Sequence, residues 1–325
     1  MKTKRPLILT TVFGFLGVLL MQPARAQTFN TNVLDPDQPY AGKTYSEWAT
    51  AFWQYYAGLP TTNNPFERPS GYPIAPLGTG QSGPVWFLCG NFLPGSPPVY
   101  TYTDTVPGGV ALFTEVSLDE WGNDRCLPPP PLTEAQLRAT AAANEDYATG
   151  MTVTIDGVAV NDIDDVMTTP YRVQSTYFSY TTPASHSVLF DVFGRQCYYP
   201  NPGGPPFAID GAVVDGVFLM ITPLSAGQHT IQASLSFFPH FNISETWIRT
   251  LNVLPVTLTA RAGNSPGTLL LTWPQTPDTY TVETSDSLDS QQWRSANLTP
   301  ALSNGAYQVS TQTGTNHQFF RLRMN

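Results

Sequence analysis

The sequence predicts a mainly β protein: an antiparallel β-sandwich with two edge helices, followed by a second, smaller β-sandwich. Three observations carry this reading. Short apolar or alternating runs recur along the chain, separated by turn residues, as half-buried and buried strands require. The 325 residues hold 31 prolines and 25 glycines, a supply of breaks that long helices would not tolerate. Two stretches open with the paired hydroxyl and carboxyl or amide residues that start a helix.

Lys2, Lys4 and Arg5 precede an uncharged apolar run from Leu7 to Met21, and Ala24-Arg25-Ala26 supplies the small residues a signal peptidase admits. Residues 1–26 therefore read as a secretory signal peptide cut between Ala26 and Gln27. The best later candidate for a membrane helix, Ala212 to Leu224, contains Asp215, Gly216 and Pro223. The mature chain is thus expected to be secreted, periplasmic or on the cell surface, without membrane insertion.

Thr44 and Glu47 stand three apart and predict a helix near residues 45–56, whose Trp48, Phe52, Tyr55 and Tyr56 form an aromatic stripe. Such a stripe buries a helix against a sheet more often than it stacks on a sugar. Residues 57–84 read as a long ordered loop. Strands are expected at Val85 to Leu88, Val99 to Thr103 and Val110 to Phe113. Thr133 and Gln136 then open a helix over about 134–147. Asp156-Gly157 supplies the positive φ of a two-residue hairpin between Thr152 to Ile155 and Val158 to Val160. Further strands are expected at Tyr171 to Ser175, Val188 to Phe193, Ala212 to Ile221 and up to about Phe237, closing a domain over residues 27–252.

Residues 256–325 change style, with short alternating strands at Thr257 to Ala260, Thr268 to Trp273, Tyr280 to Thr284, Tyr307 to Val309 and Phe319 to Leu322. Turns recur at roughly eight to twelve residues, the rhythm of an immunoglobulin-like or fibronectin-like sandwich. In this segment Leu271-Thr272-Trp273-Pro274, Tyr280-Thr281-Val282-Glu283-Thr284-Ser285, Leu288 with Trp293, and Phe319-Phe320-Arg321-Leu322 resemble a domain that ends many secreted proteins of Verrucomicrobia. That resemblance implies a fibronectin-like accessory module used for binding, spacing or surface display. Upstream, Trp48 and Trp53, Gly80-Gln81-Ser82-Gly83-Pro84-Val85-Trp86-Phe87-Leu88, and Pro223-Leu224-Ser225-Ala226-Gly227-Gln228-His229-Thr230-Ile231 resemble a group of bacterial secreted proteins without an assigned function. This second likeness implies no active site.

Loss of residues 1–26 removes four positive charges and no negative one, taking the formal net charge from −9 to −13, which repels nucleic acid. Aromatic residues make up 12% of the chain, too many for a disordered one. Three cysteines in an oxidising compartment leave at least one unpaired. The expected disulfide joins Cys89 to Cys126, with Cys197 as the free thiol.

No local spacing of His186, His229, His240 and His317 suggests a metal site, and no cofactor motif is present. Asn161-Asp162-Ile163-Asp164-Asp165 lacks the glycine and distal glutamate of a calcium loop and reads as a solvated turn. Gly80-Gln81-Ser82-Gly83 has the wrong spacing for a serine nucleophile. Candidate catalytic residues are Glu115, Asp119 and Glu120, because paired carboxylates beside an aromatic ring can move protons on a stacked sugar. Trp86 and Trp121 are the candidate ligand-binding rings. The leading expectation is a secreted noncatalytic protein that binds a glycan or a surface protein. One alternative is a glycan-active hydrolase or lyase using those carboxylates, and another is a structural component of the surface or matrix.

Overall fold

Helix α1 (Tyr45–Gly58) starts where the Thr44 hydroxyl accepts from the Glu47 amide and the Glu47 carboxylate accepts from the Thr44 amide at 2.8 Å. The computed structural model describes residues 30–67, 73–90, 99–237, 243–276, 279–288, 292–313 and 318–325. The expected signal peptide and its cleavage site, His240 and His317 lie outside the described residues. The aromatic stripe of α1 is core: Trp48, Phe52, Trp53 and Tyr56 are buried, and Phe52 meets Phe87 and Phe218 edge-on at 5.7 and 5.8 Å.

Strands β1 (Val85–Leu88), β2 (Val99–Val106) and β3 (Ala111–Gly122) follow, then helix α2 (Glu134–Glu145), opened by Thr133 and Gln136 in the same reciprocal cap. Next come β4 (Ala148–Ile155), β5 (Val158–Ala159), β6 (Arg172–Gln174), β7 (Phe178–Thr182), the short helix α3 (Val188–Asp191), β8 (Phe207–Ile221), β9 (Gly227–Phe237) and β10 (Ile243–Val253). One sheet runs β1-β3-β8-β6 with β7 also paired to β8, and the other runs β2-β10-β9-β4-β5. Helix α2 covers the first sheet with Leu137 and Ala141 against Val213 and Trp121.

The fold is mainly β as expected, but its pairing is not wholly antiparallel. β1 runs parallel to β3, and β2 parallel to β10. The reason is a double sheet switch: β2, lying between β1 and β3 in sequence, belongs to the other sheet, so β3 re-enters beside β1 in the same direction. The run from Val188 to Phe193 is not a strand either. The Ser187 hydroxyl accepts from the Phe190 amide at 3.3 Å and coils four of these residues into α3, a local cap that overrides β-branched composition. The Asp156-Gly157 hairpin forms with φ of 53° and 76°.

Beyond Val256 the chain builds two small sheets from β11 (Thr259–Ala262), β12 (Thr268–Pro274), β13 (Tyr280–Ser285), β14 (Arg294–Ser295), β15 (Ala301–Ser303), β16 (Ala306–Gln312) and β17 (Phe319–Met324). Their orders, β11-β12-β16-β15 and β14-β13-β17, follow the A-B-E-D and C′-C-F neighbours of an immunoglobulin-type sandwich. Val256, Leu271, Trp273 and Val282 form its core, separate from the larger core that runs from Tyr45 to Val253. No helix among the described residues is long and apolar enough to cross a membrane.

The disulfide differs from expectation. Cys126 bonds to Cys197, with Cα atoms 5.3 Å apart, and Cys89 is the free thiol, buried in the larger core. Closeness in sequence favoured Cys89, but β1 carries it inward while the segment after β8's partner β3 carries Cys126 out toward the loop behind α3.

Candidate functional site

Glu115 sits on β3 and is 1% exposed. Glu67, from the loop after α1, Glu245 on β10 and the Cys89 thiol are the groups that act on it, all of them buried. Tyr56 donates its hydroxyl to Glu67 at 2.5 Å, and Cys89 donates to the Gly90 carbonyl at 3.1 Å. Neither Glu115 oxygen completes a hydrogen bond, although the Gly90 amide and the Cys89 thiol lie on its side. Burial, then the neighbouring Glu245, pushes the Glu115 carboxyl well above the ordinary range. Burial raises Glu245 to about 7 and, with Glu115 adding to it, pushes the Cys89 thiol up. Gly90 has to be a glycine here, because a Cβ would lie 2.8 Å from Cδ1 of Trp247.

The guanidinium described in this interior is already engaged. Arg249 is fully buried, pairs with Asp104 at 2.7 Å, donates to the Cys89 carbonyl and lies over the Tyr102 ring at 4.2 Å. Burial therefore raises the Glu115 and Glu245 carboxyls above their ordinary range, with no cation paired to either among the described residues.

Asp119, Glu120 and Trp121 do not join Glu115. Asp119 accepts from Asn144 of α2 at 3.0 Å, and burial raises it to about 7. Glu120 accepts from the Tyr180 hydroxyl at 3.1 Å, and burial raises it to about 8. Trp121 packs under α2, with the Arg195 guanidinium 5.9 Å from its ring. Beside them, Ser117 donates to the buried Glu145, while Arg172 pairs with Asp146 and Asp215 at 2.7 and 2.8 Å, a network that fastens α2 to β3, β6 and β8. Trp86 is half-buried and lies against Gly78, where an added Cβ would be 3.0 Å from its ring.

A separate opening lies elsewhere. A cleft of about 1350 Å³ runs between the two sandwiches, lined among others by Tyr40, Pro107, Leu254, Trp273, Gln275 and Asn304. No Asp, Glu, Lys, Arg or His is among the described residues that line it. Hydroxyl and amide groups of Tyr40, Thr257, Gln275 and Asn304 are its polar equipment. Neither Glu115 nor Trp86 nor Trp121 reaches it.

No protein-family model and no curated protein matches the chain.

Sequence reasoning did not find the cleft, because its walls, many of them turns and prolines, are contributed by seven separate stretches of chain. The grouping of Asp124, Cys126 and Cys197 within 4.8 Å has ligand-like spacing, but both sulfurs are spent on the disulfide. His229 is structural in its contacts: one ring nitrogen lies 2.7 Å from Asp156 and the other 3.0 Å from the Ser225 carbonyl, which tie the start of β9 to the Asp156-Gly157 turn. Asp165 in the acidic loop caps its own turn through the Met167 amide and the Thr168 hydroxyl.

Proposed function

We propose that this is an exported, noncatalytic binding protein that recognises a neutral glycan in the cleft between its two sandwiches. The carrying observation is a cleft of about 1350 Å³ with no Asp, Glu, Lys, Arg or His among the described residues that line it, in a strongly acidic protein. A neutral sugar chain asks for that chemistry: ring faces for its C–H surfaces, and hydroxyls and amides for its hydroxyl groups, with no charge left to desolvate. The signal-like N-terminus supports export, and the immunoglobulin-type arrangement of the last seven strands supports a module for binding or display.

The glycan-active enzyme loses its motive, since Glu115 is enclosed and Asp119 and Glu120 are absorbed in contacts with α2 and Tyr180. The test is a glycan array with residues 27–325, run beside reducing-end and unsaturated-product assays on the same polysaccharides. Binding of neutral glycans without product, lost on Tyr40→Ala and Asn304→Ala, is the expected result. Product formation, or binding that ignores both substitutions, would overturn the reading.

A further inference from the structure

Of the five arginines described between residues 30 and 253, four have carboxylate partners: Arg138 with Glu134, Arg172 with Asp146 and Asp215, Arg195 with Asp124, and Arg249 with Asp104. Arg125 has none. It is exposed, and its guanidinium lies 5.2 Å from the centre of the Phe207 ring, which orients the planar group without using its donors. Asp124 next to it is unavailable as a partner. Its carboxylate accepts from the Cys126 and Leu127 amides and faces Arg195 at 3.5 Å.

Around Arg125 the chain builds a small, stapled depression of about 430 Å³, lined by Arg125, Asn201, Pro205, Pro206, Phe207 and Ala208. The Cys126–Cys197 disulfide ties the segment that carries Arg125 to the loop that forms the opposite rim. The Arg125 amide donates to the Tyr198 hydroxyl at 3.3 Å, and the Asn201 amide donates to the Ala184 carbonyl at 2.7 Å, so both rims are fixed at the backbone. Tyr199, on the same turn, is 71% exposed with Phe190 packed edge-on at 5.6 Å.

We infer that this depression is a second binding site, in which Arg125 takes the carboxylate of a uronic acid residue. A free guanidinium fork matches a carboxylate with two parallel bonds. The volume suits one sugar residue. Asn201 supplies an amide for hydroxyls, and Tyr199 offers a ring face to a neighbouring sugar. The rim disfavours a peptide, since Pro205 and Pro206 have no amide N–H with which to pair an extended backbone. The site is independent of the cleft: it stands if the neutral glycan fails, and falls on its own test.

The test is calorimetric titration of residues 27–325 with trigalacturonate, its methyl ester and an unblocked acidic tripeptide. Salt is held at 0.15 M, where a screening length of about 8 Å confines the protein's net negative charge. Expected is binding of trigalacturonate that weakens at least tenfold for the ester and for Arg125→Gln, and severalfold for Arg125→Lys, which keeps the charge and loses the fork. Arg125 is exposed, so circular dichroism of both variants should match the parent. Equal affinity for acid and ester, equal affinity of Arg125→Gln and the parent, tighter binding of the tripeptide than of the sugar acid, or no binding at all would each overturn the site.

Discussion

Arg249 pairs with Asp104 at 2.7 Å and makes no bond to Glu115, although both are buried in the same interior. The choice leaves one neutralised ion pair and a set of buried carboxyls raised above their ordinary range. It also means that the pair and the glutamates can be tested separately.

Arg249→Met removes a buried cation while Asp104 and the Cys89 and Pro65 carbonyls lose their donor. Breaking a buried pair from one side costs about 3–5 kcal/mol, more than the methionine's packing returns. Urea denaturation should show that loss, whereas Arg249→Met with Asp104→Leu should recover a good part of it. A single variant as stable as the parent would mean the pair contributes nothing.

The glutamates set the pH dependence. A carboxyl whose folded pKa lies above its unfolded value holds its proton more tightly in the native state. Its contribution is complete below the ordinary value and is lost as pH rises through the folded one. Glu245 moves from 4.5 to about 7, Asp119 from 3.8 to about 7, and Glu120 from 4.5 to about 8, all chiefly through burial, and Glu115 and Glu145 move the same way. Stability should therefore fall between about pH 4 and pH 8, each group contributing up to about 1.4 kcal/mol per pH unit within its own window. Glu115→Gln should flatten the decline and gain most over the parent at pH 8. Stability that climbs from pH 5 to pH 8 would contradict the protonated interior.

Cys126–Cys197 spans 71 residues, and in the chain-entropy model a loop of that length contributes about 4 kcal/mol. The Cys126→Ser, Cys197→Ser double variant should lower the denaturation midpoint accordingly, while Cys89→Ala costs far less. Without reductant, a maleimide should leave the native protein unlabelled and modify one thiol per chain after unfolding. Labelling of the folded chain would show that Cys89 is not enclosed.

How far the sequence revealed this molecule depends on the range of the interaction. Both long helices were legible because Thr44 with Glu47 and Thr133 with Gln136 act within one turn, and so was the hairpin, because Asp156 and Gly157 need no help from elsewhere. The parallel pairs were not, since no residue in β1 records that β2 leaves for the other sheet. Glu115 was read as a candidate catalytic acid because Asp119, Glu120 and Trp121 stand close to it in the sequence. The structure instead sets it beside Glu67 and Glu245, which lie 48 and 130 residues away in the chain. The cleft was illegible for the same reason.

Two glycines on the wall of that cleft offer a controlled perturbation of it. Gly109 and Gly83 both line the opening and both have positive φ, +86° and +80°. Alanine at either position meets the same backbone strain, about 1–2 kcal/mol. Only at Gly109 does the new methyl collide: its Cβ would lie 2.1 Å from Cβ of Pro274, whereas nothing stands within 4 Å of a Cβ at Gly83. Pro274 is fixed in β12 and has no flexible end to move aside, so Gly109→Ala has to push the end of β12 away from the turn before β3 and reshape the cleft. The expected outcome is at least a tenfold loss of affinity for the neutral glycan in Gly109→Ala and less than threefold in Gly83→Ala, with Cys89 unlabelled in both folded variants. Equal loss in the two would assign the effect to backbone strain alone, and unchanged binding in Gly109→Ala would move the glycan site out of the cleft.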